Sequence, residues 1–160
     1  MAKCVRVFLT NTPMISKKLQ FLFLLSLMLI VIHGIEEQLT GFRHTDSFVI
    51  ALGSYLSMSP EAFYWAFHII WWSLLPSVYI LLRKNPVMLP LLTLFSVVFV
   101  FELHHVVKAF VANSYYPGMI TAAFYPVLGV FFYKELVQSW RFRLKNKARG
   151  SNFVPDGQHE

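Results

Sequence analysis

The chain has 160 residues, 56% of them hydrophobic and 17% aromatic, with a formal charge of +6. An average this apolar excludes an ordinary soluble domain and points to one compact unit solvated by a bilayer. Cys4 is the single cysteine, which excludes an intrachain disulfide and a thiolate metal cluster.

Residues 1–16 read as a short cytoplasmic leader. Lys17 and Lys18 precede the apolar run Leu19 to Ile35. No small-residue cleavage site follows it, so the run is read as a retained helix reaching about Leu39 and not as a signal peptide. The loop from Thr40 to Pro60 carries the apolar piece Phe48 to Leu56. That piece is too short to span and is expected to be re-entrant or interfacial, placed to act as a lid.

Ser59-Pro60-Glu61 predicts a helix start: a hydroxyl N-cap, then proline where its missing N–H costs nothing, then a carboxylate. The second span runs from Ala62 to Leu82, with a kink expected near Trp72 from Pro76. The third runs from Pro86 to Phe101 and on to Val111. Tyr115-Tyr116-Pro117-Gly118 predicts a tight link, with Pro117 and Gly118 at the centre of a type II turn. The fourth span, Met119 to Tyr133, passes into a basic stretch, Lys134 to Arg149, expected as an amphipathic helix on the inner membrane face.

The expected fold is therefore an all-α, integral membrane four-helix bundle. It comprises a leader (1–16), a transmembrane domain (17–139) and a basic cytoplasmic tail (140–160), disordered after about residue 150. The basic residues fix the orientation. All but Arg43 and Lys108 fall before the first span, between the second and third, or after the fourth. This positive-inside pattern puts both termini in the cytoplasm and argues against a nucleic-acid partner.

Against that apolar background stand His33-Gly34-Ile35-Glu36-Glu37 and Glu102-Leu103-His104-His105. Ionisable side chains at membrane depth are costly unless paired or bound to an ion, so they mark a functional site. At 1.5 Å per residue, His33 and Glu36 lie roughly 22 and 27 Å above Lys18. By the same count His68 and Glu102 lie roughly 22 and 28 Å above Arg83, so three helices supply polar groups to one layer. His33, Glu36 and Glu37 stand at i, i+3 and i+4, and Glu102 and His105 at i and i+3, so each group can share a helix face.

Glu-x-x-His is also the spacing of di-iron carboxylate bundles. Imidazoles mixed with carboxylates suit Zn, Fe or Mn better than Ca or Mg. The candidate ligands are His33, Glu36, Glu37, Glu102 and His105. His104 is the alternative to His105, although it points about 160° away from Glu102 on an ideal helix. His68 shares the layer, and is equally readable as part of an aromatic belt with Trp65, Trp71 and Trp72. Glu37 is the candidate general base, and Tyr115 a candidate hydrogen-bonding group for bound water or substrate.

The first motif resembles the signature of the HXXEE domain family of small bacterial membrane proteins, and His104 followed by Tyr115-Tyr116-Pro117-Gly118 is similar to that family's later His and Tyr-x-Pro-Gly motif. The family's asparagine four residues before its histidine is replaced here by Val100 or Phe101. The resemblance implies a multi-pass protein of the bacterial inner membrane, without implying a reaction.

Two functions are expected to compete. One is a membrane metalloprotein acting enzymatically on a lipid or other small apolar substrate. The other is a non-catalytic binder or accessory subunit with a buried, proton-linked His/Glu network. Transport fits less well: four helices without an inverted repeat would need a homo-oligomer.

Overall fold

A computed structural model describes residues 15–82 and 88–151, apart from the side chains of 81, 82 and 147–151. The leader before Ile15, the link at 83–87 that includes Pro86, and the expected disorder beyond Ser151 lie outside the described residues.

The described residues are helical throughout, without strands. Helix α1 (Lys17–Thr40) starts on Ser16, whose hydroxyl accepts from the Leu19 N–H, and ends at Gly41. Two short helices follow, α2 (Phe42–Thr45) and α3 (Ser47–Tyr55). The loop piece expected to be interfacial is thus a helix of its own. Helix α4 (Pro60–Leu82) begins on Ser59, whose hydroxyl accepts from the Ala62 N–H, and runs through Pro76.

The third predicted span is divided into α5 (Met88–Phe95), α6 (Val98–Phe101) and α7 (Leu103–Ala112). At the first break Ser96 Oγ donates to the Thr93 carbonyl at 2.6 Å, and the Val97, Phe99 and Val100 N–H groups bond three residues back. A serine competing for backbone carbonyls tightens a helix in this way. The second break falls at Glu102 itself, where the His105 N–H reaches only the Glu102 carbonyl. The fourth segment comprises α8 (Met119–Ala122) and α9 (Tyr125–Ser151). The basic stretch expected as a separate surface helix continues the fourth rod without a break.

Among the described residues, three stretches are long and apolar enough to cross a membrane: Lys17–Thr40, Met88–Ala112 and Met119–Asn146. Helix α4 is 23 residues long and carries Tyr, Trp, His and Pro among its apolar residues; it packs on α1, α2 and α3.

The buried face of α1 repeats at three- and four-residue steps through Leu19, Leu22, Phe23, Ser26, Ile30, His33, Gly34 and Glu37. The polar pair therefore continues the stripe that packs the core. One apolar cluster joins the Leu19–Ile30 face to Leu89, Leu92, Phe95 and Phe99 and to Phe132 and Leu136. A second gathers Phe42, Val49, Tyr64, Ala109 and Tyr116. The polar residues lie between the two clusters along every rod.

Asp46 fastens α3 in place. Its Oδ1 accepts from the Phe48 and Val49 N–H groups, capping α3, while Oδ2 accepts from the Tyr116 hydroxyl at 2.8 Å and pairs with Lys108. Burial alone would raise its carboxyl, but the Lys108 ammonium, the Tyr116 hydroxyl and the Val49 N–H outweigh that and hold it below the usual range. Burial and the Asp46 carboxylate raise Tyr116 in turn, so it remains a donor.

A carboxyl depressed by folding contributes stability that is fully present above its unfolded value, about 3.9, and is lost as pH falls through the lower folded value. Asp46→Ala removes both cap and pair, and the cap alone is worth about 1 kcal/mol. Amide hydrogen exchange should quicken across α3 in this variant and leave α1 and α9 as protected as in the wild type. Unchanged α3 protection would show that Asp46 does not hold it.

Candidate metal centre

Three side chains from two rods bring one ligand atom each to a single point: His33 of α1, Glu102 between α6 and α7, and His105 of α7. Glu102 Oε2 lies 3.0 Å from His33 Nε2 and 3.3 Å from His105 Nε2, and the two Nε2 atoms are 3.3 Å apart. A tetrahedral ion with bonds of about 2.0–2.2 Å has ligand-to-ligand edges of about 3.3–3.6 Å. The triangle's edges of 3.0–3.3 Å come close to that range and fall slightly short of it.

Glu37 stands across the same pair of imidazoles, with Oε1 3.2 Å from His105 Nε2 and 3.6 Å from His33 Nε2. Its other oxygen accepts from the Tyr64 hydroxyl at 3.2 Å and lies 3.4 Å from His68 Nε2. Glu37 and His105 are 5% and 1% exposed.

The tautomers follow from what the outer nitrogens meet. His105 Nδ1 lies 2.6 Å from the Pro117 carbonyl, which can only accept, so Nδ1 carries the proton. That carbonyl belongs to the type II turn read from the sequence: Gly118 has φ 85° and ψ −8°, and the Met119 N–H donates to the Tyr116 carbonyl at 3.0 Å. His68 Nδ1 meets the Tyr64 carbonyl at 2.9 Å and is fixed in the same way.

His33 Nδ1 is 2.7 Å from Thr121 Oγ1, whose own proton goes to Glu36 Oε2. The hydroxyl is left as an acceptor, and His33 Nδ1 donates to it. All three imidazoles thus turn Nε2 inward, the orientation that outer hydrogen bonds impose on metal-ligating histidines.

The structure separates the adjacent glutamates. Glu36 faces α8, accepting from the Tyr115 hydroxyl at 2.8 Å, the Ile120 N–H at 3.0 Å and the Thr121 N–H at 2.8 Å. It lies outside the triangle and acts on it through Thr121. Tyr115 likewise touches Glu36 and not the triangle; burial and that carboxylate raise its hydroxyl above the ordinary value, which keeps it a donor. His104 turns away, with Nδ1 2.9 Å from the Phe101 carbonyl. His68 joins the buried group through Glu37, beside Trp72 as well as Tyr64, so the belt position and the polar contact coexist.

Thr121, Tyr64 and Tyr125 complete the surroundings without a sequence signal of their own; each is a lone polar residue in an apolar or aromatic run. Arg43 is held by Gln38 and Glu61. His44 sits in α2 and has no contact with the cluster among the described interactions.

Two glycines allow this approach. A Cβ on Gly118 would lie 2.7 Å from His105 Nδ1 and 2.8 Å from His33 Cε1, and one on Gly34 would lie 2.7 Å from Trp72 Cζ2. Comparison with protein-family models, curated proteins and solved structures returned no match, so the centre is read from its own geometry.

Gly118→Ala and Gly41→Ala form a matched pair, because both positions have positive φ but only Gly118 has neighbours within 4 Å of the added atom. Both variants should lose on the order of 1–3 kcal/mol to backbone strain. Gly118→Ala should lose a further 1–3 kcal/mol or so by overpacking against the histidines. Thermal unfolding of the two tests this, and equal losses would contradict the close approach.

Proposed function

We propose that the chain is a membrane-embedded metal-binding protein, and that its centre is that of a metalloenzyme acting on a lipid or other apolar substrate. The observation that carries this reading is the His33–Glu102–His105 triangle with its outer nitrogens already committed. With both rings neutral, two nitrogen lone pairs and a carboxylate would face one another across 3.0–3.3 Å. A cation at the centre converts that repulsion into three bonds.

Two imidazoles and a carboxylate are a donor set found in catalytic zinc sites; Fe and Mn accept the same donors. A metal there supplies an acidic bound water or polarises a carbonyl oxygen. Glu37, held by Tyr64 beside these donors, would serve as the general base.

In this reading the three apolar rods and α4 together form four spans of a bacterial inner membrane, with both termini cytoplasmic and the centre near the outer face. The distribution of Lys and Arg supports it, as does the apolar surface left exposed on α1, α4, α6 and α9. The HXXEE resemblance is consistent with it, since His33, Glu36, Glu37, Pro117 and Gly118 all take part in building the centre.

A second reading has its own support. Protons on Nε2 of both His33 and His105 would pair His33 with Glu102 at 3.0 Å and His105 with Glu37 at 3.2 Å, a metal-free buried network in a non-catalytic binder or accessory subunit.

Elemental analysis separates the two readings. Protein purified without chelator should carry Zn, Fe or Mn; His33→Ala or Glu102→Ala should remove most of it with helicity retained, and Glu37→Gln should keep the metal while abolishing turnover. Glu102→Gln retains shape but loses the charge that neutralises a cation, so it should also lose metal and thermal stability. A metal-free wild type that Glu102→Gln stabilises would overturn the metal reading in favour of the network. The topology has its own check: reporter fusions at Ser54 and after Gly150 should report opposite compartments, and the same compartment for both would refute four spans.

A further inference from the structure

The centre opens into a cavity of about 860 Å³, far more than an ion and its waters require and within the usual range of ligand pockets. Its walls are Trp71, Leu74 and Val78 of α4 and Leu91, Leu94 and Val98 of α5 and α6. Helix α4 packs on α1, α2 and α3, while α5 and α6 pack on α9, so the two walls face each other across the space. Val78 lies roughly 15 Å along its rod from His68, and Leu91 roughly 16 Å along its rod from Glu102, so both walls extend equally far from the centre.

Four features define the occupant. The cavity is apolar on either side of a polar band: Leu74 and Leu94 line it on one side, Phe48 and Phe63 on the other beside Asp46 and Lys108, and His33, Glu37, Glu102 and His105 lie between. Its side is open, since Leu74 and Leu94 line it while remaining 51% and 70% exposed. It is long and continuous: from Phe63 to Val78, both of which line it, α4 runs roughly 22 Å. Finally, Tyr125 lines the cavity at the polar band with a fully buried hydroxyl that has no hydrogen-bond partner among the described residues, a donor waiting for an acceptor.

We propose that the cavity holds the acyl chain of a membrane amphiphile. The chain enters sideways between α4 and α5–α6 and brings its carboxyl or acyl-carbonyl oxygen to the His33–Glu102–His105 centre, where Tyr125 donates to it. This names the substrate class of the centre proposed above and rests on that reading for the chemistry, although chain binding can be measured without it.

The test uses the full chain in lipid nanodiscs and nitroxide-labelled stearic acid as probe. Leu94→Trp and Leu74→Trp place bulk at the cleft from exposed positions, where the fold tolerates it. Each should weaken probe binding about tenfold or more while leaving helicity and metal content at wild-type values. Tyr125→Phe should weaken binding of the labelled acid several-fold and leave binding of a labelled alkane without a head group unchanged.

Wild-type binding of the probe by both Trp variants would overturn the proposal. So would a change in oligomeric mass on cleft filling with probe binding unaltered, which would make a second copy the occupant. A metal-free wild type that still binds the probe in a cleft-dependent way removes the metal centre and leaves the chain site. Metal-loaded protein whose probe binding ignores both Trp substitutions does the reverse.

Discussion

Two carboxylates, Glu37 and Glu102, are held among imidazoles between two apolar clusters, and a buried anion requires a cation. Much of the surrounding architecture serves that demand. The imidazoles answer it only if their inner nitrogens face the carboxylates, and each ring is held that way from behind: His33 by Thr121, His68 by the Tyr64 carbonyl, His105 by the Pro117 carbonyl. Two of the three supports are backbone carbonyls, which cannot donate. A mobile side chain in their place would let the rings flip and close the polar layer on itself.

The supports constrain the backbone in turn. Pro117 presents its carbonyl only because Gly118 takes positive φ, and Gly118 lies against both histidines only because it has no Cβ. On the opposite side Gly34 lets Trp72 and His68 approach α1. The Asp46–Lys108–Tyr116 group then closes the layer from the loop side, bonding Tyr116, the first residue of the turn that holds His105. The turn, α3 and the centre are coupled through the three consecutive residues Tyr116, Pro117 and Gly118.

Much of this is legible in the sequence. Depth counted from basic anchors, together with i, i+3 and i+4 spacing, brings His33, Glu37, Glu102 and His105 together, because both periodicities are properties of an isolated helix. Ser59-Pro60 and Pro117-Gly118 announce a cap and a turn for equally local reasons. The division of labour between Glu36 and Glu37 is not local. Adjacent residues differ by about 100° around a helix, and only the docking of α8 decides which one meets Thr121 and which meets the imidazoles. The Asp46–Lys108 pair is likewise hidden, since no short-range pattern links residues 62 positions apart. The breaks in the third rod leave a faint trace at Ser96, and no rule would have placed the second at Glu102.

That second break bears on how the centre meets the cavity. A straight third helix would continue the α5–α6 wall past the polar layer and present Glu102 and His105 at fixed ideal angles. Tightening at Ser96–Val97 and again at Glu102 lets α5 and α6 face the cavity with Leu91, Leu94 and Val98 while α7 turns His105 inward and His104 out. The breaks are held from two sides: the core packs Phe95 and Phe99 against Phe132, and the turn at Pro117 holds His105. The same rod is thereby apolar wall below and carrier of Glu102 and His105 above, so the proposed acyl chain, lying along α5 and α6, would reach Glu102 without crossing polar surface on the way.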